Sequence, residues 1–156
     1  MNVTRESVAT SLLTQLQTAN NFISDPNAKI VTFSRRAKIW SDVNASDQPA
    51  AFLVGIAERG DQSQVFGVYR WELEYRLIVY ARVGTDPAST LPDTLCNEII
   101  DGIESALQPP PPGAYGQPQL GGIVQNVWID GSILIDTGIL DQQIAILIPI
   151  KCITGS

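Results

Sequence analysis

VYRWELEYRLIVYA, residues 68–81, carries two surfaces that alternate residue by residue. Tyr69, Trp71, Leu73, Tyr75, Leu77 and Val79 share one parity, and Arg70, Glu72, Glu74 and Arg76 share the other. A period of two over this length, rich in aromatic and β-branched residues, predicts a half-buried strand, since an amphipathic helix repeats every three to four residues. The polar parity reads plus, minus, minus, plus. Arg70, Glu72, Glu74 and Arg76 therefore form a charged strand face with two readings open: a solvated surface, or an interface with another copy of the chain.

Upstream, residues 50–54 (AAFLV) predict a shorter strand introduced by Gln48-Pro49. Between the two strands lies ERGDQSQ, residues 58–64, which predicts a projecting polar tip. Its residues Glu58, Arg59, Asp61, Gln62 and Gln64 are candidates for contact with partners. KIVTFS, residues 29–34, predicts another short strand, and the basic cluster Arg35, Arg36 and Lys38 follows it just ahead of Trp40. These cations are expected to meet carboxylates of this acidic protein or of a neighbouring copy. Nearer the N-terminus, Val8, Leu12, Leu16, Ala19 and Ile23 recur at three and four, with Leu13 and Phe22 widening the stripe. The pattern predicts an amphipathic helix from Thr4 to about Ser24, capped by Thr4 or Asn2 and stopped by Asp25-Pro26-Asn27.

Downstream, Leu91, Leu95, Ile99, Ile103 and Leu107 repeat every fourth residue, with Pro92 suited to a first turn. This second predicted helix stops at the four prolines 109–112, which open a loop reaching Gly121-Gly122. Pro110 and Tyr115 on that loop are further candidates for partner contact. The last third predicts three strands, over residues 122–130, 132–136 and 143–153, with Asp130-Gly131 as a two-residue hairpin signal. In the closing strand Ile144, Ile146, Ile148 and Ile150 take one parity and Ala145 and Leu147 the other. Such a strand needs cover on both faces, from the chain itself or from a second copy, and Pro149 is tolerated mainly at an edge or a bulge. The fold class expected is α+β: a mixed, mainly antiparallel sheet with two helices on one face, in the order α-β-β-β-α-β-β-β.

At 156 residues the chain fits one domain that buries about 70% of the surface its unfolded form exposes. It has no histidine, so the usual general base, most catalytic zinc ligands and every imidazole-dependent triad are missing. Cys96 and Cys152 have no CxxC spacing and read as reduced core thiols. No Gly-Lys-Ser or Gly-Lys-Thr forms a phosphate loop. Glu72 and Glu74 sit beside two arginines, which favours salt bridging over acid–base work. Asp136 and Asp141 flank a turn that binds calcium only with ligands not evident in the sequence. No catalytic, cofactor-binding or metal residue is expected, and the chain does not read as an enzyme. The N-terminal stretch lacks the pattern of a secretory signal, and the most apolar stretch is too short for a membrane helix. A net charge of −6 argues against holding nucleic acid by phosphate neutralisation, yet suits a wall past which DNA slides.

Several short words in this order resemble the tail terminator (tail completion) proteins of long-tailed bacteriophages. They are the opening helix, Gln48-Pro49-Ala50-Ala51-Phe52-Leu53, the long strand with Trp71 ending in Val79-Tyr80, the helix from Leu91 to Leu107 finished by prolines, Leu120-Gly121-Gly122, the Gly131 turn and Ile148-Pro149-Ile150. The resemblance implies a virion protein of the tail and neck, assembled in the bacterial host cytoplasm as a hexameric ring. Such a ring caps the tail tube, stops its polymerisation and docks to the head connector, and DNA passes through it. The partners implied are therefore other copies of the chain, the tail tube protein, and the connector or adaptor, with no membrane and no cofactor. The alternatives are another morphogenesis protein of the same particle, such as a tube subunit or head–tail adaptor, or a small ligand-binding or enzymatic domain.

Overall fold

The computed structural model of the chain describes residues 3–61, 70–83, 91–108, 120, 122–137 and 143–155. Among them, two helices lie on one side of a six-stranded sheet. Helix α1, Arg5–Gln17, starts as expected at Thr4. Thr4 Oγ1 accepts from the Ser7 N–H (3.1 Å) and Ser7 Oγ accepts from the Thr4 N–H (3.0 Å), a reciprocal cap that contributes about 1 kcal/mol. The helix ends sooner than the stripe predicts, tightening into a 3-10 turn at Thr18–Phe22. Asn20 explains the change: its amide donates to the Ile30 carbonyl (2.8 Å) and accepts from the Ile30 N–H (2.7 Å), tying the turn to the chain entering the sheet. Ala19 and Ile23 stay buried, while Phe22 is turned out to solvent.

Helix α2, Pro92–Leu107, carries Pro in its first turn and buries Leu95, Cys96, Ile99, Ile103, Ala106 and Leu107. Leu91, expected in the stripe, is instead the exposed N-cap. The two helical segments approach closely at Gly102, where an added β-carbon would stand 2.6 Å from Ile23 Cγ1. Near the ends of both helices, Gln15 Nε2 donates to the Ala106 carbonyl (2.8 Å).

The sheet comprises β1 (Thr32–Ser34), β2 (Ala50–Asp61), β3 (Arg70–Arg82), β4 (Asn126–Ile129), β5 (Leu134–Asp136) and β6 (Gln143–Gly155). Its order is β1-β2-β3-β6-β4, with β5 also on β6; β1 runs parallel to β2 and every other pairing is antiparallel. The long strand of the sequence is the centre of this sheet, in continuous register with β6 from Arg70↔Gly155 to Arg82↔Gln143. Its parity is as predicted over the described residues. Leu73, Tyr75, Leu77, Val79 and Ala81 meet Ile144, Ile146, Ile148, Ile150 and Cys152 in the core beneath the helices. Burying a large aliphatic side chain there contributes about 1.5–3 kcal/mol.

Two local expectations are overturned. Asp130-Gly131 does not join a hairpin, because β4 and β5 both run antiparallel to β6 and so lie end to end along its edge. From Ile129↔Ile150 to Leu134↔Leu147 the outer chain advances five residues against three, and the surplus loops out around Gly131, whose φ is +115°. Pro149 is the reason. Its carbonyl accepts from the Asp130 N–H (3.0 Å), so the side of Pro149 that lacks a donor faces the break between β4 and β5.

The polar tip is also shorter than expected, because β2 continues to Asp61. Glu58, Arg59 and Asp61 pair with Leu73, Glu72 and Arg70. A register shift between Gly55 and Ala57 displaces Ile56 and reverses the strand's parity, so Glu58 turns to the helix side and Arg59 to the opposite one. There Arg5 Nε contacts Glu58 Oε2 (2.6 Å) and its guanidinium stacks 4.7 Å above the Trp71 ring, pinning the start of α1 to the end of the β2–β3 pair. Gln62, Gln64, Pro110, Tyr115 and Asp141 lie outside the described residues.

Candidate functional site: the outer face of the sheet

The even-numbered residues of β3 point away from the helices, and the register places their neighbours. Tyr80 stands between Ala50 and Ala145, and Ile78 between Phe52 and Leu147, with Leu134 beyond. Arg76 stands between Val54 and Pro149, Glu74 between Ala57 and Lys151, and Glu72 between Arg59 and Ile153. The outer face thus divides into an apolar half and a charged half.

Part of the apolar half is covered by the chain itself. Residues 40–49 pass over it, and Val43 packs with Ala50 and Phe52 against Ile78 and Tyr80. The buried Gln48 amide donates to the Val43 carbonyl (3.2 Å), fixing the arch. Beyond the arch Ala145, Leu147 and Pro149 are half-buried and Leu134 is exposed. The expectation that both faces of the closing strand need cover is therefore met only in part by these described residues.

In the charged half one ammonium serves three carboxylates. Lys151 Nζ lies 3.1 Å from Asp130, 3.7 Å from Glu74 and 3.8 Å from Glu72. Trp128 Nε1 donates to the other Asp130 oxygen (3.1 Å). The hydrogen bond from Lys151 holds the Asp130 carboxyl below the usual range, and Asp130 in turn raises Lys151. Arg70 and Arg76 are exposed and make no ion pair with any described residue. All four predicted members of the charged face therefore lie together, but they behave differently: the glutamates are held within the chain and the arginines are available.

Lys151 was not singled out from the sequence, and Asp130 was read only as part of a turn signal. The available signal was parity, since Lys151 is the one charge in the closing strand and shares the parity of Ala145 and Leu147. The basic cluster separates in the same manner. Arg35 makes a two-pronged contact with Glu6 of α1 (2.5 and 3.2 Å), whereas Arg36 and Lys38 have no ionic partner among the described residues.

At the β2 bulge a shallow cavity of about 370 Å³ is lined by Gly55, Ile56, Ala57, Glu58, Leu73, Glu74 and Tyr75. Burial pushes the Tyr75 phenol up to about 12, so it stays protonated at neutral pH. Cys96 and Cys152 are free, buried thiols pushed up to about 11 and about 12 by desolvation, so both sit in the core as neutral side chains. Among the described residues no group of three or more potential metal ligands converges, and no helix is long and apolar enough to cross a membrane. The chain is thus an α+β two-layer protein whose outer sheet face is covered in part by the described residues. No protein-family model matches it, and no curated protein does so either.

Proposed function

We propose that this chain is an architectural protein of a long-tailed bacteriophage that closes into a ring on the tail tube. The ring ends tube growth, joins the tube to the head connector and leaves a passage for DNA. The observation that carries this reading is the outer sheet face, where half-covered apolar side chains adjoin Arg76, which like Arg70 at the far end of the face has no ion pair among the described residues. Apolar surface beside available charge fits a contact between copies, in which the first supplies burial and the second fixes orientation. The order of elements and the sequence words shared with tail terminators support the same reading, and a net charge of −6 suits a channel that does not retain DNA.

The test is assembly. Native mass measurement of the purified chain, alone and mixed with polymerising tube protein, is expected to give one closed oligomer and tubes that stop growing at the capped end. Unlimited polymers of the chain alone would point instead to a tube subunit, and a monomer that leaves tube length unchanged would refute the reading. Arg70→Glu combined with Arg76→Glu is expected to weaken assembly and leave the melting transition in place. Undiminished assembly would return that face to solvent.

A further inference from the structure

The average charge of −6 hides a separation along the chain. Residues 25–42 carry four cations against two carboxylates, a net of +2, so the rest of the chain, with six cations and fourteen carboxylates, stands at −8. Every residue from Arg35 to Asp42 is exposed. This segment links β1 to the arch over the outer sheet face, and near its start the Arg36 N–H donates to Ser34 Oγ (3.0 Å). The sequence led us to expect carboxylates on its cations, but only Arg35 has one, from Glu6. No described carboxylate forms an ion pair with Lys29, Arg36 or Lys38, the neighbouring Asp25, Asp42 and Asp47 included.

The same segment holds an open aromatic ring. Trp40 is 46% exposed, and its indole N–H donates to no described residue. The other two tryptophans are engaged, Trp71 beneath the Arg5 guanidinium and Trp128 on Asp130. Free cations and a free ring face within five residues are the two groups that a nucleotide calls for, one for its phosphate and one for its base. We infer that residues 36–40 bind single-stranded nucleic acid, with Arg36 and Lys38 on phosphates and Trp40 against an unpaired base. Lys29 adds at most a third phosphate contact. So few contacts make a weak hold that salt releases, which agrees with the anionic character of the rest of the chain. The inference goes beyond the ring reading and does not depend on it.

The probe is a fluorescent oligothymidylate of about eight nucleotides, titrated with the full chain by anisotropy. With two to three phosphates neutralised, affinity is expected to fall about 7- to 18-fold between about 50 and about 200 mM salt. Arg36→Gln with Lys38→Gln should remove most of that dependence, and Trp40→Ala should weaken binding about 5-fold or more at an unchanged salt slope. Arg82→Gln, which removes a charge at the end of β3, should leave binding within about 2-fold. All four residues are exposed, and circular dichroism with thermal melting verifies that the variants fold. No binding at about 50 mM salt, an unaffected Trp40→Ala, or an equal loss in Arg82→Gln would overturn the inference. So would a hairpin duplex held as tightly as the single strand, because it offers no unpaired base. A polyglutamate peptide that competes as well as the oligonucleotide would assign the segment to an acidic protein instead, and would overturn it too. Tube capping without oligonucleotide binding sinks this inference alone, whereas binding by a chain that leaves tube length unchanged sinks only the ring.

Discussion

Gly102 tests how tightly the helical layer is packed. Replacing a helical glycine by alanine ordinarily stabilises a helix by about 1 kcal/mol, because glycine loses more backbone freedom on folding. Here the new methyl would stand 2.6 Å from Ile23 Cγ1, 3.0 Å from Ile23 Cδ1 and 3.2 Å from the Ala19 carbonyl oxygen. Ile23 is itself 3% exposed, so its side chain has little room to retreat, and the carbonyl belongs to a hydrogen-bonded turn. Overpacking of this kind costs about 1–3 kcal/mol. Set against the propensity gain, Gly102→Ala is expected to destabilise by about 0–2 kcal/mol. For a chain of this size that lowers the melting temperature by up to about 8 °C.

The more incisive measurement is the sign in a second background. Ile23→Ala removes both offending carbons and by itself costs about 2–5 kcal/mol. In that background only the 3.2 Å approach to the Ala19 carbonyl oxygen remains and the Gly102 methyl fills part of the void, so Gly102→Ala should now stabilise, by up to about 1 kcal/mol. Urea denaturation of the four proteins, at one protein concentration so that association does not shift the midpoints, gives the cycle. A Gly102→Ala change that stabilises wild type, or that keeps the same sign in both backgrounds, would refute the close approach.

Ile148→Ala, at a fully buried position between the helices and the neighbouring strands, is expected to cost about 2–5 kcal/mol in the same assay. Leu134→Ala on the exposed edge should stay within about 0.5 kcal/mol at a concentration where the chain is dissociated, and equal effects at the two sites would contradict the burial pattern. Tyr75 ionises at about 12 in the fold through burial, against about 10 when unfolded. Between those values the unfolded chain releases a proton that the folded one keeps, so stability falls as pH rises through that window and Tyr75→Phe should flatten the fall; an unchanged slope would show that Tyr75 is not its source. A thiol reagent at neutral pH should leave both cysteines of the native protein unmodified and label two per chain after denaturation, and labelling of the folded protein would refute their burial.

Periodicity alone determined much of this protein. Alternation over residues 68–81 set a strand with one face inward, the three-and-four repeats set two one-sided helices, and Thr4 and Pro92 marked their starts, because each of these signals is local to a few consecutive residues. The candidate face was legible to the same extent: Arg70, Glu72, Glu74 and Arg76 had to project together. Tertiary structure alone decided what occupies that face. Lys151 reaches Glu72 and Glu74 only because β6 pairs with β3 in a register that no local pattern specifies, and that pairing leaves the two arginines without an ion pair among the described residues. The β2 bulge exchanges the faces that strict alternation would give Glu58 and Arg59. Gly131 carried a turn signal that was correct in backbone conformation and wrong in partner, since a positive φ is a property of one residue, whereas the strand it serves is chosen by the donorless side of Pro149 in a distant part of the chain.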